Sequence, residues 1–94
     1  MYTVYMHKPH AELSNSLQSA SVVVTVGGIY QHHKGDDYLV EGLGFLEATD
    51  EICVIYHNQN IPELTYIRPL TSWLEIVSVD DKSMPRFALI KAML

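Results

Sequence analysis

The chain predicts an all-β domain, a small and strongly bent SH3-like barrel, and three observations carry that expectation. Runs rich in β-branched and aromatic residues recur along it, about five to seven of them. Clusters of turn-forming residues separate these runs roughly every eight to twelve positions. Glycines at 42 and 44 fall inside one run, where a bulge or tight bend would let a small sheet curl.

Taken in order, Met1 to Tyr5 alternates weakly, as a short edge strand would. His10 to Ser21 is polar, and within it Ala11 to Ala20 reads either as a helical turn or as loose chain. Val22 to Val26 is β-branched and is expected to add an N-terminal strand, after which Gly27-Gly28 frees the backbone for a sharp change of direction. Ile29 to His33 and Tyr38 to Leu46 flank Lys34-Gly35-Asp36-Asp37, whose composition is that of a turn, so the segment reads as a β-hairpin. After the polar connection from Glu47 to Glu51, the continuous apolar run Ile52 to Tyr56 argues for a central strand.

Asn58 to Pro62 turns the chain into a strand from Leu64 to Arg68. Pro69 must end that strand or push it to an edge, because proline has no amide hydrogen for the ladder. Leu70 to Leu74 is expected as a short helical turn, Glu75 to Val79 as a last strand and Asp80 to Ser83 as a turn. Pro85 is tolerated in the first turn of a helix, and Phe87, Leu89, Ile90 and Met93 can form an apolar stripe. A short C-terminal helix is therefore expected, with a strand as the other reading.

Composition narrows the function classes. A chain of 94 residues has room for one domain with a modest core, and 48% apolar against 18% charged residues excludes a disordered tail protein. That apolar share, with the small size and the added strand at Val22 to Val26, points to a homodimer. Six basic and eleven acidic residues leave a net charge of −5, which argues against broad electrostatic binding of nucleic acid. One cysteine, Cys53, allows no internal disulfide and agrees with a reducing, cytoplasmic setting. The longest purely aliphatic run, Val22-Val23-Val24, is far short of the ~20 residues of a membrane span, and the N-terminus does not read as a signal peptide.

The candidate ligand-binding residues are Tyr30, His32, Lys34, Tyr66, Arg68 and Trp73. Tyr30 and His32 stand two apart on a strand and share a face, with Lys34 at its end. A phenol, an imidazole and an ammonium in a row can hold a carboxylate, a phosphate or a base. The competing account has Tyr30 in the barrel wall, His32 bonded to a carbonyl and Lys34 solvated. Arg68, with Tyr66 two residues earlier, offers a guanidinium fork to an anion, or ties down Glu75, Asp80 or a loop carbonyl. Trp73 is core by default, yet its indole N–H needs a partner. Arg86 carries the same two readings as Arg68.

No metal site is expected: Cys53 and His57 lie about 13 Å apart in an extended strand, and the adjacent His32 and His33 point to opposite faces. Cys53, between Ile52 and Val54, reads as a small core side chain rather than a nucleophile. Asp36-Asp37, Asp50-Glu51 and Asp80-Asp81 sit in turns, not in a converging acid and base pair. Neither a catalytic residue nor a cofactor site is assigned.

Three motifs carry a family resemblance: Gly28-Ile29-Tyr30-Gln31-His32-His33-Lys34-Gly35; Arg68-Pro69-Leu70 followed by Trp73 and Glu75; and Pro85-Arg86-Phe87. With Tyr38, Val40, Gly42 and the run Val54-Ile55-Tyr56, they resemble the DUF1653 family of small bacterial domains of unknown function. The resemblance spans Gly28 to Phe87. It implies a single DUF1653-like β-barrel domain over 28–94; residues 1–27 lie outside it and are expected as an N-terminal extension with one strand, the β-branched run Val22 to Val26. Family members usually carry His-Ser-Glu-Thr where this chain has Leu46-Glu47-Ala48-Thr49, so no role passes to Leu46 or Ala48. The resemblance supplies no activity.

The expectation is thus a non-enzymatic binding module for a small anionic ligand, a peptide or a nucleotide-containing partner. The alternatives are a small enzyme or accessory subunit using His32 and Lys34, and a purely structural or oligomerisation protein.

Overall fold

The computed structural model describes residues 6–92 and shows a mostly β molecule with antiparallel pairing throughout. Its elements are α1 (His10–Val23), β1 (Gly28–His32), β2 (Asp37–Leu46), β3 (Glu51–Asn58), β4 (Ile61–Pro69), α2 (Leu70–Trp73), β5 (Ile76–Val79), β6 (Lys82–Pro85) and β7 (Phe87–Ala92). Five strands form one sheet in the order β4-β3-β2-β1-β7, and β5 pairs with β6 in a separate hairpin. The weak alternation at Met1 to Tyr5 lies outside the described residues.

Two features curl the sheet. Val40 pairs with Tyr56 and Gly42 with Ile55, leaving Glu41 as an extra residue in β2; Ile90 is likewise extra in β7 opposite Ile29-Tyr30. A bulge reverses the inward and outward alternation of its strand. Tyr38 and Val40 face the core before Glu41, and Leu43 does so after it, while Gly42 and Gly44 need fill no core position. The expected bend in this strand is therefore real, and its pivot is Glu41.

The expected barrel does not close. β4 and β7 are the two edges of the sheet, and the β5-β6 hairpin does not join them. Pro69 ends β4 and the chain turns at once into α2, so β4 does not run on toward β7.

The strand expected at Val22 to Val26 is also corrected. Val22 and Val23 are the last residues of α1, Val24 is extended at φ −125° with its amide bonded to the Ala20 carbonyl, and Val26-Gly27 is a turn. β-branched residues lose only a few tenths of a kcal/mol in a helix, so a helix running through Ala20 carries two more valines along. Burial of Ala20 and Val24 decides the matter. The Pro9 carbonyl accepts the amides of Glu12 and Leu13 at the start of this helix, and Glu12 in the first turn suits the helix dipole.

The C-terminal helix is replaced by β7, whose residues pair with β1 from Gly28↔Ala92 to His32↔Phe87. Free amides along β1 reward a strand there more than an isolated short helix could reward itself. Pro85 ends β6 instead of opening a helix. The turn before it places Asp80 and Asp81 at φ 52° and 64°, the left-handed pair that a two-residue hairpin requires.

The core gathers side chains from β1, β2, β3, β7 and α2 with Val24. Val24, Tyr30, Val40, Val54, Tyr56, Trp73 and Phe87 are its buried members, with Tyr38, Leu43 and Leu70 packed against them. Gly28 has to be glycine for space: a Cβ there would stand 2.9 Å from both the Thr25 carbonyl oxygen and Leu89 Cδ1. Cys53 is buried outside this cluster, and burial followed by the Glu51 charge pushes its thiol pKa up, as a structural cysteine requires. Asp50, at φ 60° in the β2-β3 turn, is buried and ties the N-terminal segment down by accepting the Lys8 amide and pairing with His7.

Candidate functional site

Phe87 is the hub of the candidate site. Register sets it opposite His32, whose ring centroid lies 5.0 Å away edge-on. Trp73, projected from α2, stacks on Phe87 at 3.8 Å and 4°. Tyr56 and Tyr38 meet Phe87 edge-on at 5.7 and 5.8 Å, and Arg68 Cζ stands 5.4 Å from its centroid. Such edge and cation contacts follow the ring quadrupole.

The six candidate residues join this network in different ways. Tyr30 is buried in the core, edge-on to Trp73 at 5.2 Å, and its hydroxyl accepts the Thr25 amide at 2.8 Å. Trp73, 2% exposed, is wholly inside. Arg68 is half-buried, donating from Nε to the Tyr56 hydroxyl at 3.2 Å and from Nη1 to Ser72 Oγ at 2.8 Å. Tyr66 lies exposed on edge strand β4 against Tyr56, at 5.8 Å between centroids. His32 and Lys34 are the two that meet solvent at a cleft.

That cleft has a volume of about 310 Å³. It is lined by Gln31, His32, His33, Lys34 and Gly35 from β1 and its turn and by Met84, Pro85 and Ala88 from β6 and β7, and the lining contains no carboxylate. The β1-β2 turn is held in place by hydrogen bonds from the His33 amide to the Arg86 carbonyl and from the Gly35 amide to the His32 carbonyl.

His32 has a defined tautomer. The Lys34 amide donates to its Nδ1 at 3.1 Å, so the neutral ring carries its proton on Nε2 and presents a donor. Burial lowers its pKa below the usual 6.5, and the neighbouring His33, Arg86, Arg68 and Lys34 lower it further. The unfolded chain therefore takes up this proton near pH 6.5 and the folded chain only at lower pH. His32's contribution to stability is complete above 6.5 and is lost as pH falls through that value toward the folded one. The melting temperature is expected to fall from pH 7 to pH 5, and to fall less in His32→Gln. Equal slopes in the two proteins would refute this.

Arg86 was legible in the sequence as part of Pro-Arg-Phe, but its partner was not. It is Arg86, not Arg68, that engages Glu75, through its side chain at 3.2 Å and its amide to the Glu75 carbonyl at 2.9 Å. Its Nε is buried with no hydrogen-bond partner. His33, weighed only as a metal ligand, and Met84 and Pro85 join the site because β6 and the β1-β2 turn line one cleft, which nothing local in the sequence indicates. Among the described residues, no group of three or more His, Cys, Asp or Glu side chains is placed to hold a metal ion. His57 instead meets Glu41 at 3.0 Å, and that carboxylate also accepts from Thr65.

The motif residues of the sequence are thus the core and the cleft of one site. The family described as "Protein of unknown function (DUF1653)" matches residues 28–89. The chain belongs to the DUF1653 family. A solved structure agrees: the crystal structure of a DUF1653 protein from Bordetella bronchiseptica is 35% identical, with a TM-score of 0.62, covering 72% of this chain and 90% of that one. Comparison with the curated proteins finds no match. Helix α1 precedes the matched DUF1653 residues. No helix among the described residues is long and apolar enough to cross a membrane.

Proposed function

We propose that the protein is a non-enzymatic binding module whose His32 and Lys34 cleft recognises an anionic group on a small ligand, a peptide or a nucleotide-containing partner. One observation carries the reading: in a chain with eleven acidic residues and a net charge of −5, this cleft is lined by two imidazoles and an ammonium and by no carboxylate. The Lys34 ammonium, with neutral imidazole donors beside it and no carboxylate in the lining, leaves the cleft without a neutralising partner of its own, which an anionic ligand would supply.

The tautomer of His32 favours binding over the reading in which His32 acts as a base beside Lys34. Its Nδ1 is engaged by the Lys34 amide and its Nε2 already carries a proton, so the neutral ring offers a donor and no free basic nitrogen. A purely structural role accounts for Tyr30, Trp73 and Arg68. It leaves Lys34 merely solvated, whereas the binding reading gives this exposed ammonium, which has no ion pair among the described residues, a partner.

Thermal-shift and calorimetric titrations with inorganic phosphate, citrate and AMP at low ionic strength test this. At least one is expected to bind, and Lys34→Ala to weaken that binding about tenfold, the loss of one charge-assisted contact. Absence of binding by all three, or affinity unchanged in Lys34→Ala, would sink the proposal.

A homodimer and a cytoplasmic setting belong to the same reading. Exposed Leu64, Tyr66 and Ile67 along edge strand β4 support the first, because an open apolar edge invites pairing. The single buried thiol of Cys53 supports the second. Light scattering at micromolar concentration is expected to return twice the 10.7 kDa chain mass, and a monomer mass would refute the dimer.

A further inference from the structure

We infer that the cleft takes a small organic phosphate monoester, its phosphoryl group against His32 and Lys34 and its apolar body against Met84, Pro85 and Ala88. This rests on the anion-binding reading of the same cleft and names the ligand class.

Charge is the first argument. Lys34, in the cleft, has no carboxylate within ion-pairing distance among the described residues, and Arg68, outside the lining and hydrogen-bonded to Tyr56 and Ser72, likewise has none, whereas Arg86 is partly neutralised by Glu75. One uncompensated charge in the cleft with a second behind it favours a phosphomonoester, which carries roughly −1.5 to −2 at pH 7, over a single carboxylate.

Hydrogen bonding is the second. His32 Nε2–H and the three N–H groups of the Lys34 ammonium are donors, and the lining offers no carboxylate to accept in return. A ligand group that only accepts, through several oxygens at once, satisfies them together; a protonated or mixed donor group leaves one unpaired.

Size and polarity supply the third. About 310 Å³ exceeds what an inorganic anion fills and lies at the low end for small-molecule pockets. The same lining includes Met84, Pro85 and Ala88, apolar surface for the body of the ligand.

The test is an amide-resolved NMR titration of the full chain with phenyl phosphate, benzoate and inorganic phosphate at pH 7.5 and low salt. Phenyl phosphate is expected to bind at least about tenfold more tightly than benzoate and more tightly than inorganic phosphate, shifting the amides of His33, Lys34 and Gly35. Lys34→Ala should weaken it about tenfold without changing the melting temperature. Equal affinity for benzoate overturns the phosphate assignment and leaves anion binding standing. Inorganic phosphate binding as tightly as phenyl phosphate overturns the role of the apolar lining. No response to any probe, or shifts confined to other surfaces, overturns the anion reading with it.

Discussion

Trp73→Ala is expected to lower the unfolding free energy by about 3 to 5 kcal/mol, the range for emptying a well-packed aromatic site. The indole is 2% exposed and stacked on Phe87, with the edges of Tyr30 and Tyr56 at 5.2 and 4.9 Å. It is also the anchor of α2, a helix of four residues that has no stability of its own and depends on this side chain for its position. At about 0.05 to 0.15 kcal/mol per residue, a domain of 94 residues has about 5 to 14 kcal/mol in all, so such a loss is a large share of it. Urea unfolding followed by far-UV circular dichroism measures it, because the substitution removes the sole tryptophan and its fluorescence. Trp73→Phe keeps a ring on Phe87 and should lose less. A change below about 1 kcal/mol in Trp73→Ala would mean that the stack does not carry the core.

Arg68→Ala is expected to cost roughly 2 to 3 kcal/mol, from two charge-assisted hydrogen bonds and a cation and ring contact. The guanidinium spans β4, the Tyr56 hydroxyl on β3 and Ser72 on α2, so it fastens the helical turn to the sheet. Arg68→Lys should not restore the loss, since one ammonium cannot reproduce the planar fork that reaches both hydroxyls. Lys34→Ala, at an exposed site, should stay within about 0.5 kcal/mol of the wild type. The contrast separates the two cations: a melting temperature unmoved by Arg68→Ala would transfer Arg68 from framework to ligand contact.

The aromatic motif positions show why part of this site was legible in advance. Tyr30 and His32 share a face by strand parity alone, and the hairpin that carries them follows from Lys34-Gly35-Asp36-Asp37. Pro69 marks the end of an edge strand for a reason internal to proline. The helical turn at Leu70 and the bulge near the glycines also followed from local chemistry. Other features depend on partners distant in sequence. Nothing within Pro85-Arg86-Phe87 indicates that it opens a strand beside β1, and nothing near His32 indicates that Lys34's amide, rather than a carbonyl, meets its Nδ1.

Residues 22–26 and 87–92 mark where local propensity reaches its limit. By itself the sequence determined a small, mostly β domain of the DUF1653 family, its central hairpin, its proline-ended edge and the residue types of the candidate site, because turn chemistry and strand parity act over a few positions. Only the tertiary structure decided that Val22 and Val23 finish a helix, that the last segment is a strand, that the sheet stays open and that Met84-Pro85 lines one cleft with His33-Lys34. Those outcomes turn on which distant amides lack a partner and which side chains can be buried together.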